Sequence, residues 1–135
     1  MSFISWEEKY SVNNCEIDSQ HKTIIRLINE VMKNAIENKQ AGCIERVLYE
    51  LVKYTAYHFS YEEKMMVKCG YPGTKLHISQ HNHLIEELKK FMIRNSTQAD
   101  LPAKDLMNFL SDWLKSHIMG VDKNYSILLG DVRIN

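Results

Sequence analysis

Histidine and acidic residues recur in this sequence at spacings that suit metal binding. His58 and Glu62 are four residues apart, and so are His77 and His81. Four residues advance about 400° around a helix, so each pair lies one turn apart on one face. Imidazole and carboxylate groups are common ligands of transition metals. One such pair is weak evidence, because a single inward histidine is more often a hydrogen-bonded core residue.

Two further histidines lie on apolar helix faces elsewhere in the chain. His21 continues a stripe through Ile25 and Ile28, and His117 continues a stripe through Trp113. Five histidines and one carboxylate therefore point inward from four predicted helices. Burying so many polar groups without partners would be costly, whereas a metal centre satisfies them together. The spacing predicts a metal site and leaves iron, zinc, copper and nickel open.

Other polar side chains near these pairs are expected to have different roles. His83 is two residues beyond the HxxxH pair, about 200° around the helix, so we expect it in solvent. Glu63 and Glu86 are likewise expected on the surface. Tyr54 is one turn before His58, where it could hydrogen-bond to the imidazole or simply pack in the core. Core packing is the favoured interpretation.

Four segments with helical periodicity are predicted to position these residues. Only five glycines and two prolines interrupt the sequence. We predict an irregular arm over residues 1–17 and helices over about 19–38, 41–68, 74–95 and 102–119, with Asp18 as the first N-cap and Gly70 ending the second helix. Similar helix lengths and short links predict an all-α, up-down-up-down antiparallel four-helix bundle in a single domain spanning residues 1–135.

The composition argues against several classes of partner. Acidic and basic residues balance at 17 each, and no basic stripe is present, which argues against nucleic acid and anionic membranes. No apolar run approaches the roughly 18 residues of a membrane span. The N-terminus does not resemble a secretory signal. Three widely spaced cysteines are expected to be reduced thiols, so we expect a cytoplasmic protein. The neutral surface favours a monomer.

The order and spacing of the candidate ligands resemble the signature of the hemerythrin family. The matching positions are His21, His58-x-x-x-Glu62, His77-x-x-x-His81 and His117-x-x-x-x-Asp122. The resemblance extends from Trp6 to about Tyr125 and includes Gln20 and the Tyr71-Pro72 pair. Spacing alone did not favour Asp122 over Asp112, and the family pattern selects Asp122. Five residues advance about 500°, so the helix must wind loosely after His117, as in a π-bulge, or end near Gly120.

The resemblance implies a di-iron centre that binds dioxygen. Glu62 and Asp122 would bridge two Fe ions together with an oxo or hydroxo group. One iron would be bound by His77, His81 and His117. The other would be bound by His21 and His58, leaving one position open for dioxygen. An apolar oxygen pocket is implied around that position, although ordinary core packing explains the same residues: Ile24, Phe59, Trp113, Leu114 and Ile118.

We therefore expect reversible dioxygen binding for oxygen storage, delivery or transport, and no enzyme activity. Two carboxylates and a hydroxide leave a diferrous centre at about +1, whereas ferritin-like di-iron enzymes use more carboxylates. No signalling domain is seen in this chain, which favours a carrier over a sensor. One alternative is a di-iron oxidase or peroxidase of the same fold. Another is an iron-storage or metal-binding module without oxygen chemistry. The sequence does not identify a protein that receives the oxygen.

Overall fold

Four α-helices dominate the computed structural model, which describes residues 4–37, 41–97 and 103–117. They are α1 (Cys15–Ile36), α2 (Ala41–Cys69), α3 (Thr74–Thr97) and α4 (Ala103–Lys115), and no strand occurs in those ranges. A short 3₁₀ helix, Glu8–Tyr10, precedes α1. The prediction of an all-α four-helix bundle is confirmed. None of the helices within these ranges is long and apolar enough to cross a membrane.

Contacts between neighbouring helices show that each runs antiparallel to the next. Near the start of α1, Gln20 meets His58 late in α2. Residues Asn34 and Cys43, at the opposite ends of these helices, line one groove. The same holds for α3 and α4, where the Trp113 indole donates to the Leu84 carbonyl and Phe91 stacks on Phe109. Helix α1 also packs against α4, which closes the bundle.

Helix α1 begins earlier than the sequence predicted. Asn14, not Asp18, is the N-cap, and its side-chain oxygen accepts from the Ile17 backbone N–H at 3.0 Å. The assignment of Asp18 as the N-cap was therefore wrong. The Asp18 carboxylate instead accepts from the Ser11 hydroxyl and the Val12 backbone N–H. It fastens the N-terminal arm to the first turn of α1, which competes with capping for the same side chain.

Helix α2 ends at the predicted glycine. Gly70 has a φ of +68°, a conformation that costs a residue with a Cβ atom. The Gly70 N–H donates to the Val67 carbonyl and the Tyr71 N–H to the Met66 carbonyl. These two bonds form a Schellman motif, which satisfies carbonyl groups left open at the helix end. The turn places α3 alongside α2, so the histidines of α3 can face the histidine and carboxylate of α2.

Among the described residues, two apolar clusters fill the bundle, one on each side of a polar layer. The larger contains Ile24 and Ile28 of α1 and continues through the other three helices. The smaller, under the N-terminal arm, contains Val12, Ile17, Met65 and Met66. On α1, His21 lies between Ile17 and Ile24, so the polar layer is enclosed by apolar side chains along the bundle axis.

Candidate metal centre

Six predicted ligands converge in this polar layer. His21, His58, Glu62 and His117 form one group and Glu62, His77 and His81 another; within each group, one ligand atom per residue lies within 4.8 Å of the others. Every member is buried, with at most 3% of its surface exposed. Glu62 belongs to both groups. Asp122, the seventh predicted ligand, lies outside the described residues.

Each of the four helical segments supplies part of this layer. His21 projects from α1, His58 and Glu62 from consecutive turns of α2, and the HxxxH pair from α3. His117 follows α4 directly, where Ser116 and His117 have π-helical hydrogen bonding. A π-helical turn winds more loosely than an α-helix. The five-residue spacing from His117 to Asp122 calls for such loose winding, and the residues after His117 lie outside the described ranges.

The Glu62 carboxylate is the point on which the imidazoles converge. Its Oε1 lies 2.7 Å from His58 Nε2, 3.4 Å from His117 Nε2 and 3.5 Å from His81 Nε2. The Nε2 atoms of His58 and His117 are themselves only 3.0 Å apart. Three ring nitrogens from three helical segments thus surround one carboxylate oxygen.

The orientation of the His58 ring is determined by Gln20, which is 2% exposed. His58 Nδ1 lies 2.7 Å from Gln20 Oε1, and Gln20 Nε2 donates to Glu16 Oε1 at 3.0 Å. Because a carboxylate can only accept, the Gln20 amide nitrogen faces Glu16 and its carbonyl oxygen faces His58. The carbonyl also only accepts, so His58 Nδ1 carries the proton. In the neutral ring, Nε2 is then the unprotonated atom, and it faces Glu62.

The His81 ring is held in the same way by a carboxylate. His81 Nδ1 donates to Glu63 Oε2 at 2.9 Å, and the ring stacks on Phe59. The expectation that Glu63 is an ordinary surface residue was therefore wrong, since only 28% of its side chain is exposed. Burial raises the pKa of the Glu63 carboxyl, and the nearby His77 partly opposes that rise.

The donor set fits a metal ion. Neutral rings of His58 and His81 with Nδ1 protonated present lone pairs at Nε2, and both Nε2 atoms face a carboxylate oxygen. Lone pairs on nitrogen and oxygen repel at such distances unless a cation or a proton lies between them. Imidazole nitrogen and carboxylate oxygen together suit iron, zinc, copper and nickel. A buried cation would satisfy these atoms at once.

Residues predicted to lie outside the site do so, apart from Glu63. The His83 side chain is 72% exposed and pairs with Glu87 at 2.7 Å, and Glu86 is exposed, as predicted. Tyr54 packs against the large apolar cluster, which favours the core interpretation. Burial raises the pKa of Tyr54.

The predicted oxygen-pocket residues that the structure describes are all buried: Ile24, Phe59, Trp113 and Leu114. Phe59 lies flat on His81, with ring centroids 3.7 Å apart. The Trp113 ring is 6.3 Å from His117, and its indole N–H is satisfied by the Leu84 carbonyl. Phe59 and Trp113 therefore lie beside ligand rings, and Ile24 and Leu114 belong to the same apolar cluster. Ile118 lies outside the described residues.

Comparison with known proteins decides the family. A sequence model of the hemerythrin HHE cation binding domain matches residues 15–126. This chain belongs to the hemerythrin family. The bacteriohemerythrin of Pseudomonas paraeruginosa is 32% identical over 125 residues, covering 93% of this chain and 80% of that protein. The bacteriohemerythrin of Methylococcus capsulatus is 32% identical over 130 residues, covering 93% and 95%.

A myohemerythrin and a solved hemerythrin structure agree with this family assignment. The myohemerythrin of Riftia pachyptila is 27% identical over 121 residues, covering 89% of this chain and 88% of that protein. The crystal structure of a wild-type hemerythrin superposes with a TM-score of 0.85 at 29% identity, covering 96% of this chain and 99% of that one. The similarity to a solved hemerythrin thus covers nearly the whole chain.

Proposed function

We propose that this hemerythrin holds two iron ions in its polar layer and binds dioxygen reversibly. The observation that carries the proposal is the convergence of five histidines and Glu62 from four helical segments into one buried layer. Seven protein ligands, counting Asp122, exceed what one ion can use, and bridging carboxylates let two ions share them. Membership of the hemerythrin family supports iron as the metal.

The ligands are proposed to divide between two iron positions. His77 and His81 would bind one iron and His21 and His58 the other, with Glu62 and Asp122 bridging. Both described groups contain Glu62, as a bridging role requires. The ring centroid of His117 is 5.1 Å from that of His58 and 5.5 Å from that of His81, and its ring nitrogen groups with those of His21 and His58. We propose from the hemerythrin pattern, and not from this grouping, that His117 would bind the iron of His77 and His81, which would leave a position open on the other.

The iron pair would supply the electrons that dioxygen needs in order to bind. The protein's own contribution is to hold the ligands and to exclude water. The buried side chains of Ile24, Phe59, Trp113 and Leu114 belong to the apolar cluster that borders the layer on one side. A dry site keeps protons away from bound oxygen and so favours its release unchanged. We propose that Ile118 completes this border.

A carrier role is proposed rather than an enzymatic one. The described ligand set contains a single carboxylate, Glu62, and Asp122 would add one more. Few anionic ligands stabilise high-valent iron poorly, which disfavours oxidation of a bound substrate. Cys15, Cys43 and Cys69 are all free thiols, which supports the proposed cytoplasmic location. We propose that the protein acts as a monomer.

Oxygen uptake tests this function. Protein loaded with iron and reduced without oxygen should take up about one dioxygen per two irons and then stop. Uptake should not continue when excess reductant is present. Continuous consumption would indicate an oxidase or peroxidase. Iron-loaded protein that takes up no oxygen would indicate a storage or metal-binding module.

A further inference from the structure

We propose that Glu63 and Gln20 are positioning residues that give the two iron positions imidazoles of different donor strength. Glu63 holds His81 through a carboxylate, and Gln20 holds His58 through a neutral amide. In both rings the proton stays on Nδ1 and Nε2 faces Glu62. The expected effects on the irons rest on the proposed di-iron function. The hydrogen bonds of Glu63 and Gln20 are features of the protein without metal.

In both hydrogen bonds a ring Nδ1–H donates to a side-chain oxygen. The acceptor is a charged carboxylate for His81 and a neutral amide for His58. A carboxylate that accepts the Nδ1 proton raises the basicity of a ligating histidine. A hydrogen bond to an ionised acceptor is also stronger than one to a neutral carbonyl. His81 is therefore the stronger donor of the pair, and an iron bound by His81 would receive more electron density than an iron bound by His58.

The surroundings of the two acceptors differ as well. Glu63 lines a groove of about 370 Å³ between α2 and α3, together with Ser60, Asn82 and Glu86. Water in this groove can solvate the second oxygen of the Glu63 carboxylate. Gln20 is 2% exposed and donates to Glu16. The charged acceptor, Glu63, thus borders a groove that water can enter, whereas the neutral acceptor, Gln20, is buried inside the bundle.

Glu62 and Glu63 hold opposite ends of the same ring. Glu63 Oε2 contacts His81 Nδ1 at 2.9 Å, and Glu62 Oε1 lies 3.5 Å from His81 Nε2. Phe59 covers one face of that imidazole. Three residues from two consecutive turns of α2 therefore fix both the tilt and the tautomer of a side chain on α3. Removing Glu63 leaves the ring stacked but free to change tautomer.

The charge difference predicts opposite effects on reduction potential. Glu63→Gln removes a negative charge near the site and disfavours the ferric state, so the midpoint potential should rise. Gln20→Glu adds a negative charge, so the potential should fall. Glu86→Gln makes the same charge change in the same groove at an exposed side chain, and it is the matched control. Its potential should stay close to that of the unmodified protein.

Nitrogen-15 NMR of the histidine rings tests the positioning directly in the metal-free full-length protein. Rings of His58 and His81 should both carry a proton on Nδ1, the atom that faces Gln20 or Glu63. Glu63→Ala should convert His81 to a mixture of tautomers and leave His58 unchanged. Glu86→Ala should change neither ring. Circular dichroism establishes that each variant is folded, and Glu63→Gln serves as the milder replacement.

Zinc binding supplies a second measurement that needs no oxygen chemistry. Glu63→Ala should weaken zinc binding about 10- to 100-fold, as loss of a partner behind a ligating histidine commonly does. Identical tautomers and zinc affinities in Glu63→Ala and Glu86→Ala would overturn the positioning role. Potentials that move in the same direction in Glu63→Gln and Gln20→Glu would overturn the charge asymmetry. Failure of the unmodified protein to bind oxygen would instead refute the proposed function, and the tautomer result would stand apart from it.

Discussion

The imidazole of His81 lies flat against the phenyl ring of Phe59. Their centroids are 3.7 Å apart and their planes differ by 1°. Phe59 is therefore both part of the apolar cluster that borders the polar layer and a support for a candidate ligand. The two roles follow from one geometry, because Phe59 comes one residue after His58 on α2 and reaches across to α3.

Phe59→Leu should weaken iron retention by removing the flat surface that supports His81. Its stability loss should be modest, about 1 kcal/mol, because an apolar side chain of similar volume remains. The matched control is Phe91→Leu, since Phe91 stacks on Phe109 away from the polar layer. Iron content after dialysis against a weak chelator is the measurement. Equal iron loss in the two variants would show that the stacking has no role in holding the ligand.

Iron-loaded protein should contain about two irons per chain, because bridging carboxylates let two ions share the seven ligands. Glu62→Ala should abolish the pair, since Glu62 lies within reach of His58, His81 and His117. His83→Ala is the control, because His83 is exposed and pairs with Glu87. Elemental analysis near one iron per chain for the unmodified protein, or preferential retention of zinc, would contradict the assignment.

Removing the metal should destabilise the fold. Without a cation, five imidazoles and Glu62 remain packed together in a buried layer. Metal that binds only the folded state contributes about 4 kcal/mol when its free concentration is 1,000 times Kd. For a domain of this size that corresponds to a rise in Tm of about 10 °C or more. Coincident thermal melts of metal-free and iron-loaded protein would rule out this coupling.

Leu114→Ala should speed irreversible oxidation of the oxygen-loaded protein. Leu114 is 3% exposed and lies three residues before His117, on nearly the same helix face. Its truncation would admit water to the site as well as remove about 2–5 kcal/mol of packing. Leu110→Ala is the matched control, because Leu110 is equally buried and lies one turn further from His117. Autoxidation at one rate in both variants would mean that Leu114 contributes only packing.

The main features of the site were predictable because helical periodicity alone fixes which face a residue occupies. His58, Glu62, His77 and His81 follow four-residue spacing, and the structure places all four in the polar layer. His83 lies off that face and is in solvent, as the same rule requires. Metal identity did not follow from spacing, since imidazole and carboxylate groups bind several metals.

The interactions behind the ligands could not be predicted in this way. Glu63 is rotated about 100° from Glu62, so α2 taken alone predicts that it faces outward. It reaches His81 because α3 packs against that side of α2, a relationship that no single-helix pattern contains. Gln20, which precedes His21 by one residue, likewise reaches His58 because α1 packs against α2. One signal could have suggested both Glu63 and Gln20. Each is next to a ligand in the sequence, and each has a side chain that can accept a hydrogen bond from a ring N–H.

The start of α1 was missed because two polar residues, four positions apart, are both suited to cap it. Asn14 and Asp18 are both good N-cap types. Asp18 accepts hydrogen bonds from Ser11 and Val12 of the arm, which leaves the cap to Asn14. The path of the arm decides between them, and that path depends on tertiary contacts such as the paired hydrogen bonds between Ile4 and Asn29.

Reversible dioxygen binding is tested most directly by visible spectroscopy through one full cycle. Iron-loaded protein is reduced without oxygen, exposed to oxygen, and then returned to an oxygen-free atmosphere. The spectrum should gain a visible charge-transfer band on exposure, lose it on removal of oxygen, and regain it on a second exposure without added reductant. A spectrum that changes once to that of the ferric protein and does not return would contradict reversible binding.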